Sequence, residues 1–109
     1  MIEYYSFGKI IICSREYTSD IIIVSGTVHS WWRAQGHVLN PGDLTLVIEA
    51  SPKVLVVGTG SHGGMKISET TRKFLLENQI TLIAEKTGKA VEIFNNLLET
   101  KAAALHLTC

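Results

Sequence analysis

The run Val54-Leu55-Val56-Val57 carries no polar side chain, and it ends directly in Gly58-Thr59-Gly60-Ser61-His62-Gly63-Gly64. A strand that alternates apolar and polar residues can leave one face in water, but a uniformly apolar strand needs cover on both faces. Helices supply that cover when strands and helices alternate along a chain, so this short run already points to an α/β sheet. The segments that follow agree: Ser68 can cap a helix with Thr71, Phe74 and Leu75 on one side, and Ile80 to Ala84 reads as the next buried strand. The unit from Val54 to Ala84 is expected to be a right-handed parallel crossover.

Upstream, Asn40-Pro41-Gly42-Asp43 is a strong helix start, with Asn40 as the cap, Pro41 at the first helical position and Asp43 at the positive end of the dipole. Leu39 and Leu44 are spaced to staple that turn, Leu44, Val47 and Ile48 form the stripe, and Ser51-Pro52 stops it. Nearer the start, Phe7 to Cys13 and Asp20 to Val24 are apolar and β-branched, and the polar Ser14-Arg15-Glu16 between them suggests a hairpin. Gly26 breaks the pattern before a further short strand, Thr27 to Trp32. A third helix from Thr87 to Glu99 places Ala90, Val91, Phe94, Leu97 and Leu98 at helical spacing, and Ala102 to Leu107 closes the chain as a strand after the tight return Glu99-Thr100-Lys101. All of residues 1–109 read as one α/β domain. Asp20 to Val24, taken as an edge strand, could pair with a second copy in a homo-oligomer.

Apolar residues make up 46% of the 109, and charged ones 18%, which is enough to bury a core without a disulfide or a metal. Lys plus Arg and Asp plus Glu are equal at 10 each, so no overall charge draws the molecule to nucleic acid or an anionic membrane. The opening MIEYYSFGKIIIC is neither a signal peptide nor a membrane span, and a cytoplasmic location is expected. Cys13 and Cys109 lack metal spacing and are expected to be reduced thiols. His29, His37, His62 and His106 form no paired ligand pattern, so neither a metal nor a cofactor is expected.

Gly58, Gly60 and Gly63 spell GxGxxG, and Glu85 at the end of the following strand sits where a ribose-binding acid would. A dinucleotide site, however, has its third glycine inside the helix, whereas Gly64-Met65-Lys66-Ile67 intervenes here before Ser68. The chain also has room for only one of the two halves such a site needs. Two readings remain for this loop. The glycines can simply let the chain leave a buried strand through backbone angles closed to other residues. Alternatively the amides of Gly60 to Gly64, with the hydroxyls of Thr59 and Ser61 and with His62 and Lys66 nearby, form a concavity for a small anion such as phosphate or a nucleotide. Loops at the carboxyl ends of parallel strands are where open α/β sheets take ligands.

SWWRAQGH, residues 30 to 37, is a second candidate surface. If the segment is extended, Trp31 and Trp32 point to opposite faces, one packing inward and the other outward beside Arg33 and His37. Burial of both rings is the commoner arrangement, and with zero net charge nucleic acid is not expected as the partner. Asn95 and Asn96, mediocre helix formers in mid-helix, suit a bond to a neighbouring backbone. No nucleophile elbow is present, and no catalytic residue can be named.

FGK at Phe7 to Lys9, YTSDI at Tyr17 to Ile21, VLVVGTG at Val54 to Gly60, AVEIFNNL at Ala90 to Leu97 and AALHLTC at Ala103 to Cys109 occur in one order. In that order they resemble a small domain of unknown function whose members include an adipogenesis-associated protein, a mitochondrial complex I assembly factor and many bacterial and archaeal proteins. The resemblance implies a three-layer α/β fold with a central mixed five-stranded sheet, its last strand antiparallel to its neighbours, flanked by helices and a small hairpin. It implies no established activity and points to a binding or assembly role with a protein partner. Two departures are Gly88, where many relatives carry proline, and a Glu99 to Lys101 segment shorter than the usual basic turn. The expected function is therefore a non-enzymatic binding domain, with an anion-binding module or enzyme built on loop 58–64 as the alternative.

Overall fold

The structure is a computed structural model that describes all residues, 1–109. Three short strands, β1 (Ile2–Ser6), β2 (Lys9–Ile12) and β3 (Arg15–Tyr17), form a small antiparallel sheet in that order. They are followed by β4 (Ile21–Val24), β5 (Thr27–Ser30) and β6 (Val38–Leu39), then by a single 3-10 turn, Pro41–Leu44, that runs into α1 (Thr45–Ala50). The rest alternates: β7 (Val54–Thr59), β8 (Lys66–Ile67), α2 (Glu69–Glu77), β9 (Thr81–Glu85), α3 (Thr87–Asn96) and β10 (Lys101–His106). The central sheet has five strands in the order β5-β4-β10-β7-β9.

The mixed five-stranded sheet is as expected, but its last strand is not antiparallel to both neighbours. β10 is inserted between β4, to which it is antiparallel, and β7, to which it is parallel in register from Lys101 opposite Val54 to His106 opposite Thr59. Ala102, Ala103 and Ala104 are wholly buried at this centre, where larger side chains would force the layers apart. Alternate residues of the sheet feed two cores. Ile21, Ile23, Val54, Val56, Ala103 and Leu105 meet Phe94 of α3 and Ile10 and Ile12 of the small sheet. Ile22, Leu55, Val57, Ala102 and Ala104 meet Leu44 and Val47 on one side and Leu75 of α2 on the other. Helices on both faces are what a uniformly apolar β7 requires.

β7 and β9 are parallel neighbours, so the crossover joining Val54 to Ala84 is present. Ser68 caps α2 as expected, with the amide of Thr71 donating to its Oγ at 3.2 Å. At the earlier helix start Asn40 is the N-cap, as expected, and Asp43 belongs to its capping box, with Oδ2 accepting from the Asn40 amide at 2.9 Å; Asn40 Nδ2 also donates to Gln35 Oε1 at 3.3 Å. The expected hairpin between Phe7–Cys13 and Asp20–Val24 is corrected. β2 pairs with β1 and β3, while β4 lies between β5 and β10, so β4 is internal and the edges of the five-stranded sheet are β5 and β9. The helix expected to reach Glu99 ends at Asn96, where Leu97 turns extended and Lys101 Nζ caps the carbonyls of Phe94 and Leu97. From within the last turn of α3 the Asn95 side chain clamps β1, donating to the Ile2 carbonyl at 2.8 Å and accepting from its amide at 3.0 Å.

Candidate functional site

Topology gathers the polar groups at one end of the sheet. β7 and β10 run side by side and finish together at Thr59 and His106. Because β4 runs the other way, with Ile21 opposite Leu105, the residue before it, Asp20, arrives at the same end. The turn between β1 and β2 is tied there by the Gly8 amide, 2.8 Å from the Leu107 carbonyl.

Asp20 is the hub. Its Oδ1 accepts from the Leu107 amide at 2.8 Å, and its Oδ2 lies 2.8 Å from both Arg33 Nη1 and His106 Nδ1. Burial pushes this carboxyl up, but the Leu107 amide, His106 and Arg33 together outweigh it and hold the pKa below the usual carboxylate value. The bond to a carboxylate assigns the proton to Nδ1 of His106. The 3.2 Å approach of Arg33 Nη2 to that nitrogen is then a contact between two donors, held together by the carboxylate they share. The guanidinium also donates to the Gly36 carbonyl at 2.9 Å and lies 4.5 Å from the centre of the Trp31 ring, so one side chain pins the whole 31–36 segment over the sheet. Arg33 Nε and His106 Nε2 are buried with no partner in the protein.

On the opposite face Thr87 Oγ1 donates to the His106 carbonyl and accepts from the Gly60 amide at 2.9 Å. Tyr5 donates from its hydroxyl to the Leu107 carbonyl at 2.8 Å. Burial pushes the Tyr5 phenol up, only partly countered by hydrogen bonding to Ser61 and Thr87.

The glycine loop joins this network by its backbone. Ser61 donates to the Thr108 carbonyl, Gly64 to Cys109 O at 2.7 Å, and Gly63 to the Gly60 carbonyl at 3.2 Å. The expectation that amides of Gly60 to Gly64 turn outward is thereby corrected: those of Gly60, Ser61, Gly63 and Gly64 are spent inside the chain. The reason lies in the glycines themselves. Gly60 has φ of +111°, and a Cβ there would fall on the backbone of Cys109, so the missing side chain admits the Thr108–Cys109 segment where an anion was envisaged. Gly58 is needed for a similar approach, since a Cβ would lie 2.7 Å from Thr87 Oγ1. The Thr59 hydroxyl bonds the Glu85 carbonyl at 3.1 Å.

What the loop presents to solvent is side chains. His62 is exposed and its ring centre is 6.5 Å from that of Phe7, which is 58% exposed. Lys66 and His37 are exposed neighbours, linked by the Lys66 amide and the His37 carbonyl at 2.7 Å. Of the tryptophans, Trp31 is 8% exposed, with its indole N–H on the Asp43 carbonyl at 2.9 Å, while Trp32 is 80% exposed. Asp20, His106, Tyr5 and Thr87 were not singled out from the sequence. The available signals were an acid immediately before the apolar run Ile21–Val24 and a histidine alone in the apolar stretch Ala102–Leu107.

A family model described as "Protein of unknown function (DUF498/DUF598)" matches residues 2–106. The chain belongs to this family. Membership agrees with the expectation drawn from its motifs. The DUF498/DUF598 chain is similar to a conserved hypothetical protein of Pyrococcus horikoshii OT3, with a TM-score of 0.91 and 26% identity over 100% of this chain and 99% of that one. It is similar to a Bartonella henselae protein described as an outer membrane protein, with a TM-score of 0.84 and 27% identity over 99% of this chain and 94% of that one. A Mth938-like domain of Bordetella pertussis shares the fold at a TM-score of 0.71 and 21% identity, over 97% of this chain and 84% of that one. No curated protein matches significantly. No helix of this DUF498/DUF598 chain is long and apolar enough to cross a membrane.

Proposed function

We propose that the chain is a non-enzymatic binding protein of assembly type, and that it docks a protein partner at the carboxyl end of β7 and β10 through Phe7, Trp32 and His62, with His37 and Lys66 at the margin. The carrying observation is the contrast at this end of the sheet: Asp20, Arg33 and His106 bond one another, while Phe7, Trp32 and His62 face water. Exposed aromatic side chains of this kind are the usual anchors of protein interfaces. The compartment proposed is the cytoplasm, which suits the unpaired thiols of Cys13 and Cys109.

The test is amide NMR of the isotope-labelled chain titrated with extract of the source cells, beside the double variant Phe7→Ala with Trp32→Ala. Broadening around residues 7, 32 and 62 that the double variant abolishes supports the reading. Broadening that the variant leaves intact, or none at all, counts against it. Saturable shifts with inorganic phosphate alone would favour the anion reading of the loop.

A further inference from the structure

A second surface lies between α1 and α2, the two helices that cover the face of Leu55 and Val57. Glu69, Thr70, Lys73, Phe74 and Glu77 share one side of α2, turned from its buried residues Thr71 and Leu75. Facing them are Pro41, Thr45, Ile48 and Glu49 of the 3-10 turn and α1. Pro41 and Phe74 line both of two adjoining hollows, of about 290 Å³ beside α1 and about 340 Å³ along α2. The first is walled mostly by carbon.

The charge around this groove is one-sided. Glu49, Glu69 and Glu77 are all exposed, and none lies within 4.0 Å of a cation, the ion pairs of the molecule being elsewhere. Lys73 is the one cation among the lining residues, so three carboxylates face one ammonium in a chain whose formal net charge is zero. We infer that this groove docks a basic amphipathic segment of a partner protein, an apolar side chain seated against Phe74 and Ile48 with lysine or arginine on either side of it. Burial of the apolar side chain supplies the attraction, and the carboxylates on both walls select a basic segment over an acidic one. None of the groove's lining residues belongs to the surface of Phe7, Trp32 and His62, and the proposal does not rest on the function proposed above.

The probe is a short leucine–lysine peptide patterned at helical spacing, together with a twin carrying glutamate at every lysine position, titrated into the full-length labelled chain. The lysine peptide should shift the amides of Thr45, Ile48, Lys73 and Phe74, and the glutamate twin should not. Glu49→Lys combined with Glu77→Lys should weaken binding about tenfold, both positions being exposed so that the fold survives. Should the variant fold poorly, a salt titration of the unmodified chain reads the same term, with affinity falling as ionic strength rises. Equal binding of both peptides, shifts centred on other residues, self-association as the sole response, or affinity indifferent to both salt and charge reversal would each overturn the proposal.

Discussion

Asp20 Oδ2 lies 2.8 Å from His106 Nδ1, although 86 residues separate the two in the chain. The contact exists because β10 enters the sheet beside β4 in the opposite direction, which brings the end of the last strand to the beginning of an early one. It fastens together the two strands on which the Arg33 clamp and the glycine loop both depend.

Replacing Asp20 with Asn should be costly. The variant leaves Arg33 and His106 facing each other at 3.2 Å without the carboxylate between them, in surroundings where Arg33 and His106 are almost fully buried. Loss of one member of such a cluster typically costs about 3 kcal/mol, which urea unfolding at neutral pH would measure. A cost below about 1 kcal/mol, the scale of an exposed ion pair, would mean that the cluster is solvated in solution.

Acid should act through the same residue. The folded-state pKa of Asp20 is lowered, so its contribution to stability is present above the unfolded carboxylate value of about 3.9 and is lost as pH falls from there through the folded value. Unfolding free energy followed from pH 6 downwards should decline more steeply in the wild type than in Asp20→Asn over that acidic window. Parallel curves for the two proteins would remove Asp20 from the explanation.

Two glycines should respond in opposite directions. Gly60→Ala places a methyl group on the backbone of Cys109 at a φ of +111°, and it should destabilise the fold by about 2 kcal/mol or more. Gly88→Ala, in the first turn of α3 with nothing within 4 Å of the added carbon, should stabilise it by about 0.5–1 kcal/mol. Thermal unfolding of the pair checks both signs at once.

The adjacent tryptophans should separate just as cleanly. Trp31→Ala removes a ring buried against Leu44 and Val47 in the second core and should cost about 3–4 kcal/mol. Trp32→Ala removes an exposed ring and should leave stability within about 0.5 kcal/mol of wild type while weakening partner binding. Acrylamide quenching of the single-tryptophan variants reads the two environments directly.

The α/β alternation was legible because hydrophobic period and length carry it: Val54–Val57, the Ser68 cap and the Ala102–Leu107 strand all stand where their patterns place them. Pairing was less legible. Nothing local in Lys9–Ile12 or Ile21–Val24 tells one apolar β-branched run which strand to join, and the hairpin between them was corrected for that reason. In the candidate site, alternation offered an outward Trp32 only as the less common arrangement; burial of both rings was the one expected, and the 80% exposure of Trp32 corrects it. The pairing of Asp20, Arg33 and His106 was not legible, since it depends on where β10 inserts. The glycine loop was misleading in one respect. Its composition marks a place where something approaches the backbone closely, and that something is the segment Thr108–Cys109 of the same chain.

The most direct test of this account is amide hydrogen exchange combined with a phosphate titration of the labelled chain. With the loop filled from within, the amides of Gly60, Ser61 and Gly64 should exchange slowly and keep their resonance positions as inorganic phosphate is added. Rapid exchange at those three amides, with shifts that saturate as phosphate rises, would contradict it.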